Sequence, residues 1–164
     1  MTTFDFAQAN WFALLDENGK RLVRLSELLY EREERMQTVF ESYSFVVFPM
    51  AKAYEGFIKL YLKKTGILHR DDYIDAKFRI GRALNPDISD RHKDEWWLYG
   101  DLERLCGKDT SRSLWDAWIE CRNHVFHFYF DQEIGMTLEE AKKKLLQMNI
   151  AMAKAMQCLT LSSK

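Results

Sequence analysis

Chain breakers are scarce in this sequence: two prolines and seven glycines are spread over 164 residues. A sheet needs turn residues every few positions, and that punctuation is missing. Long helices joined by few loops satisfy the pattern, so the predicted fold class is all-α. The length suits one domain. A hydrophobic share of 47% supplies a packed core rather than a disordered tail. No linker, low-complexity stretch or internal repeat divides the chain, so residues 1–164 are read as one domain.

Apolar spacing assigns the helices. Phe4 to Asp16 reads as a short helix, separated from the next by Gly19. A second helix is predicted over about 20–40, with Leu22, Leu25, Leu29, Met36 and Val39 in phase. Its charged middle, Glu31 to Arg35, reads as a solvated face. A third is predicted over 44–65, ended by Gly66. Pro49 lies near its start, where a missing N–H costs least. Lys52, Gly56, Lys59 and Lys63 share one face of this helix. Ala51, Tyr54, Ile58, Tyr61 and Leu62 share the other, and Glu55 falls on the boundary. Further helices are predicted over 71–84, stopped by Asn85-Pro86, over about 95–106, closed by Gly107, and from 109–111 to about 130. The last has the clearest signature. Thr137-x-x-Glu140 is a capping box, and Leu138, Ala141, Leu145, Met148, Met152, Ala155 and Leu159 follow at steps of three and four. That stripe packs along the domain or against a partner.

Charge and cysteines exclude several classes. A formal net charge of −1 argues against binding nucleic acid through bulk charge, so any such contact must be focused into a local cleft. The three cysteines are odd in number and lack a CxxC, which predicts neither a disulfide framework nor a zinc knuckle. The N-terminus lacks a signal pattern, and the apolar run Phe45 to Phe48 is far too short to span a bilayer. The expectation is a cytoplasmic protein without a membrane partner.

The chemistry concentrates between Trp115 and Tyr129. On a helix, Leu114, Trp118, Cys121, Val125 and Phe128 form one apolar stripe, and Trp115, Ile119, Phe126 and Tyr129 a second. Arg122 falls inside this apolar half, where an unpaired guanidinium is costly. It requires a carboxylate partner, a snorkelling route or a ligand groove. Two readings stay open: an ion pair that only joins helices, or a local break in pattern that marks a functional site. His127, five residues on, lies on the polar flank at an angular offset of about 140°, so spacing alone does not bring the pair together. Glu120, His124, His127 and Asp131 share a stripe and form a competing metal site. The Glu-x-x-His pairs of di-iron bundles are absent, and no metal or cofactor is assigned. No phosphate loop, nucleophile elbow or Cys-His signature occurs.

Arg122-Asn123-x-x-x-His127, late in an aromatic-rich helix, resembles the motif of HEPN domains. The long Leu-Ala-rich final helix fits that fold, and Phe48-Pro49-Met50-Ala51-Lys52-Ala53-Tyr54-Glu55-Gly56-Phe57-Ile58-Lys59 is similar to the helix before the core of RNase LS-type toxins. The likeness covers about 45–160, leaving 1–40 as N-terminal helices of unassigned role. It implies a HEPN-like bundle of about six to seven helices, assembled as a symmetric dimer whose motif helices line a shared cleft. It also implies a metal-independent endoribonuclease of a toxin–antitoxin or phage-defence system, with RNA as substrate and a protein antitoxin as a further partner. Arg122, Asn123, His127 and Glu55 would be catalytic, and His124, Lys52, Lys59 and Tyr129 would contact substrate. His127-Phe128-Tyr129 also matches the His-x-Tyr of HEPN toxins whose tyrosine is modified by a nucleotidyltransferase antitoxin; a core role is the alternative for Tyr129. The alternative for the whole chain is a non-catalytic HEPN module that binds RNA, nucleotide or a partner protein.

The implied reaction needs no metal, because the attacking 2′-hydroxyl is tethered beside the phosphate. Imidazole suits the proton transfer. A guanidinium, permanently charged and forked, suits the phosphate oxygens.

Overall fold

The computed structural model describes residues 4–36, 39–127 and 135–162. Among these the chain is helical, with no strand; an isolated bridge pairs Ser42 with Met136. The helices are α1 (Glu17–Arg35), α2 (Ser44–Lys64), α3 (Arg70–Ile74), α4 (Ile80–Ala83), α5 (Tyr99–Cys106), α6 (Lys108–Trp118), α7 (His124–Phe126) and α8 (Leu138–Ser162). A π-helical turn, Ile119–Asn123, joins α6 to α7. The all-α expectation is met, and α2 forms the hub, packing against α1, α8 and the α6–π segment.

The N-terminal segment is not the single short helix predicted. It forms two 3₁₀ turns, Phe6–Gln8 and Phe12–Leu14, that wedge Phe4, Phe6, Trp11, Phe12 and Leu15 into the core. Trp11 donates its indole N–H to Asn149 Oδ1 on α8 at 2.8 Å.

Helix α1 starts where the Asp16 side chain accepts the Gly19 N–H at 2.7 Å. Its buried face is Val23, Ser26, Tyr30 and Glu33, so the predicted leucine stripe is out of phase. Leu22 and Leu29 flank the core, whereas Leu25, Met36 and Val39 are exposed. The charged middle is likewise not uniformly solvated. Glu33 is buried and takes the Arg32 Nε–H at 2.7 Å, while its other oxygen has no partner among the described residues.

The reason for the phase lies in α2. Pro49 stands beyond the first turn, where its missing N–H and its ring disrupt the ladder. Ser26 is the repair. Its hydroxyl donates to Val46 O and accepts the Met50 N–H, both at 2.8 Å, so it bridges two groups one turn apart. A polar side chain therefore occupies the centre of the α1–α2 interface. Farther along, Tyr54 donates to Leu114 O at 2.8 Å and ties α2 to α6. Burial raises its phenol pKa well above the ordinary tyrosine value.

Periodicity predicts one helix over 71–84, but the chain makes α3 and α4 with a turn between. Asp75 causes the break: its carboxylate accepts the Lys77 N–H at 2.7 Å and its carbonyl accepts from Phe78. A short polar side chain that satisfies nearby backbone in this way competes with helix. The same device delays α5, where Asp94 accepts from Trp96 and Trp97. Gly107, at φ 81°, supplies the left-handed turn between α5 and α6.

Helix α8 follows expectation. Thr137 Oγ1 accepts the Glu140 N–H at 3.2 Å, and Glu140 Oε2 accepts the Thr137 N–H at 2.7 Å. Ala141, Leu145, Met148, Met152 and Ala155 are fully buried. No helix among the described residues is long and apolar enough to cross a membrane.

The cysteines depart from expectation. Cys106 at the end of α5 and Cys158 near the end of α8 form a disulfide, with Cα atoms 5.4 Å apart. An odd count did not exclude it, because the third cysteine, Cys121, is buried and its thiol pKa is pushed up to about 12 by desolvation. Native protein should therefore resist iodoacetamide. Denaturation without reductant should expose one reactive thiol, and reduction three. Three reactive thiols before reduction would rule out the bond.

Candidate active site

The motif sits where α6 loses its regular register. The His124 N–H bonds to Ile119 O, an i→i+5 link that inserts one extra residue into the turn. Side chains beyond it are rotated relative to a straight helix. Cys121 stays buried, but Val125, predicted for the same stripe, is only half-buried. One residue after Val125 the helix ends. The His127 N–H still bonds to Asn123 O at 3.1 Å, but His127 itself is extended, at φ −103° and ψ 139°.

These two departures bring together what angular spacing keeps apart. Arg122 Nη1 lies 3.4 Å from His127 Nε2. The direction of this contact depends on the imidazole tautomer. Arg122 Nη2 lies 3.6 Å from Glu55 Oε2 on α2. The carboxylate that Arg122 requires is thus the one on the boundary of the α2 faces. The guanidinium also covers the Trp118 ring, 4.9 Å from its centroid. Trp118 is itself buried and lies close against α4, where a Cβ on Gly81 would stand 3.1 Å from its indole nitrogen.

The magnitudes point to positioning rather than stability. The Arg122 and Glu55 side chains are 32% and 35% exposed, so water screens their attraction to about 1 kcal/mol or less. The ring contact adds a similar amount. Two modest contacts from two directions, with the buried Trp118 as floor, restrict where the guanidinium can point. The remaining third of its surface faces solvent.

The other candidates fall around this centre. Asn123 is half-buried in the π turn. His124 Nδ1 pairs with Glu120 Oε1 at 3.3 Å on the same helix. Lys52 is exposed and Lys59 half-buried; they flank Glu55 at i−3 and i+4 and so share its face. Tyr129 and Asp131 lie outside the described residues, so neither the tyrosine's role nor the four-residue metal stripe is described. No group of three metal-binding side chains occurs among the described residues.

A groove of about 420 Å³ lies elsewhere, between α6 and α8. It contains none of the candidates, and four of the five charged residues along it form pairs, Lys154 with Asp109 at 2.8 Å and Arg112 with Asp116 at 2.9 Å.

The π turn is the feature sequence reasoning misses. No residue pattern in Trp118 to His124 signals it, whereas such turns are frequent at functional sites. Compared with family models, curated proteins and solved structures, the chain finds no match.

Proposed function

We propose that this chain is a metal-independent endoribonuclease of the HEPN type, acting as a symmetric dimer within a toxin–antitoxin or phage-defence system. The carrying observation is the cluster of Arg122 with His127 at 3.4 Å and Glu55 at 3.6 Å. The resemblance of Arg122-Asn123-x-x-x-His127 to the HEPN motif supports the same reading.

The 2′-oxygen of a nucleotide attacks the adjacent phosphorus, and the bond to the 5′-oxygen of the next nucleotide breaks. His127 takes the proton from the 2′-hydroxyl, water protonates the leaving 5′-oxygen, and the imidazolium returns its proton to the resulting hydroxide. The products are a 2′,3′-cyclic phosphate and a 5′-hydroxyl. Arg122 binds the non-bridging oxygens and opposes the charge that builds on them. Glu55 and Trp118 hold the guanidinium so that it need not reorganise at that moment. Asn123, His124, Lys52 and Lys59 border the site as further contacts for the RNA backbone.

Glu55 offers the sharpest test of this division of labour. Glu55→Gln keeps the shape and removes the charge. Cleavage should slow by roughly 10- to 100-fold, the scale of a misdirected catalytic group, while melting changes by no more than about 1 kcal/mol. Parent-like cleavage by Glu55→Gln would remove Glu55 from the site. RNA binding without cleavage by the parent protein would favour the non-catalytic module, in which the same guanidinium serves only as an anion anchor.

A further inference from the structure

Helix α2 carries one exposed feature that the reaction above does not use. Phe48 is 50% exposed, whereas Phe57 farther along the same helix is fully buried. Its ring meets Phe126 edge-on, with centroids 5.2 Å apart and planes at 86°. Phe126 is the residue immediately before His127. The perpendicular contact leaves Phe48 half-exposed, at some cost.

Helical geometry aligns this ring with the candidate site. Phe48, Lys52 and Glu55 are spaced by four and three residues, so they form one stripe on α2. The distance from Phe48 to Glu55 along the axis is roughly 10 Å. One end of the stripe is a half-exposed aromatic ring and the middle is an exposed ammonium. The other end is the carboxylate that holds Arg122. An aromatic platform leading past a cation into a phosphate-binding guanidinium is the pattern that recognises single-stranded nucleic acid, through a base and then its backbone.

We propose that the Phe48–Phe126 pair is a stacking platform for a nucleobase of single-stranded RNA, next to the phosphate bound by Arg122, with Lys52 on the intervening backbone. This rests on the ribonuclease reading and extends it to a base-binding subsite with little preference for base identity, because every base has a face to stack.

The test measures binding separately from cleavage. Fluorescein-labelled single-stranded RNA is titrated into His127→Ala protein, alone or combined with Phe48→Ala, Phe48→Tyr or Lys52→Ala. A matched oligonucleotide with abasic positions is run in parallel. Phe48→Ala should weaken binding of normal RNA on the order of tenfold, and Phe48→Tyr should restore it. Binding of the abasic strand should be insensitive to Phe48→Ala. Lys52→Ala should instead lower the salt dependence by about 0.7 in log–log slope. Equal sensitivity of normal and abasic strands, or none, would overturn the proposal. So would dissociation of a dimer by Phe48→Ala in sedimentation, which would assign the ring to a second copy of the chain. If parent protein cleaves RNA but Phe48 has no effect, only the platform fails. If binding depends on bases and Phe48 but the parent never cleaves, only the ribonuclease reading fails.

Discussion

Purified His127→Ala protein should cut RNA about 10²–10⁴-fold more slowly than the parent, the range contributed by one positioned proton-transfer group. Its far-ultraviolet spectrum and melting temperature should hardly move. The structure explains why the two effects separate. His127 is exposed and stands just past the end of α7, with extended backbone, so its ring fills no core volume. Surface changes of this kind fall within about 0.5 kcal/mol. A loss of activity that came with a loss of helix would point to unfolding instead. Parent-like cleavage with an intact fold would mean that the proton moves elsewhere.

The largest effect on stability is expected far from that site. Trp11→Ala should destabilise the fold by about 3–5 kcal/mol, the range for removing a large aromatic side chain from a core. At this chain length that corresponds to a melting temperature lowered by roughly 10 °C. Trp11 is fully buried, packs against Phe6 and Phe12, and donates to Asn149 on α8. Its loss leaves a cavity and a partly buried amide without its donor. Trp11→Phe should recover most of the packing but not the hydrogen bond. Urea denaturation of the three proteins separates these contributions. A loss below about 1 kcal/mol for Trp11→Ala would make the N-terminal segment a detachable appendage. Its burial instead makes residues 4–35 part of the same core as α2 and α8, a role that sequence comparison within the chain leaves unassigned.

What was legible in the sequence follows from how local each signal is. The limits of α2 and the start of α8 are read almost to the residue, because Gly66, Thr137 and Glu140 act through groups three or four residues away. The buried face of α2 follows from periodicity alone. The break between α3 and α4 was legible in principle, since Asp75 and Asp94 are residues that capture nearby backbone N–H groups. The phase of α1 was not. It is set by Pro49, more than twenty residues later, which needs a hydroxyl from Ser26 and so rotates the leucines outward. Nor was the disulfide, since nothing local tells which two of three cysteines will meet.

The candidate site divides in the same way. That Arg122 needs a carboxylate partner, a snorkelling route or a ligand groove follows from its place in an apolar stripe, and Glu55 was named from the resemblance of its helix. That Arg122 and His127 meet was beyond an angular argument. The offset of about 140° assumes an unbroken α-helix, and the chain abandons that geometry twice, through the π turn and through the exit at His127.

Chemical identification of RNA ends is the most direct measurement. Parent and His127→Ala proteins are incubated side by side with single-stranded RNA in excess EDTA, and the new termini are mapped. The account predicts fragments ending in 2′,3′-cyclic phosphate and beginning with 5′-hydroxyl, from the parent alone. Fragments with 5′-phosphate ends, cutting that EDTA abolishes, or identical fragments from both proteins would contradict it.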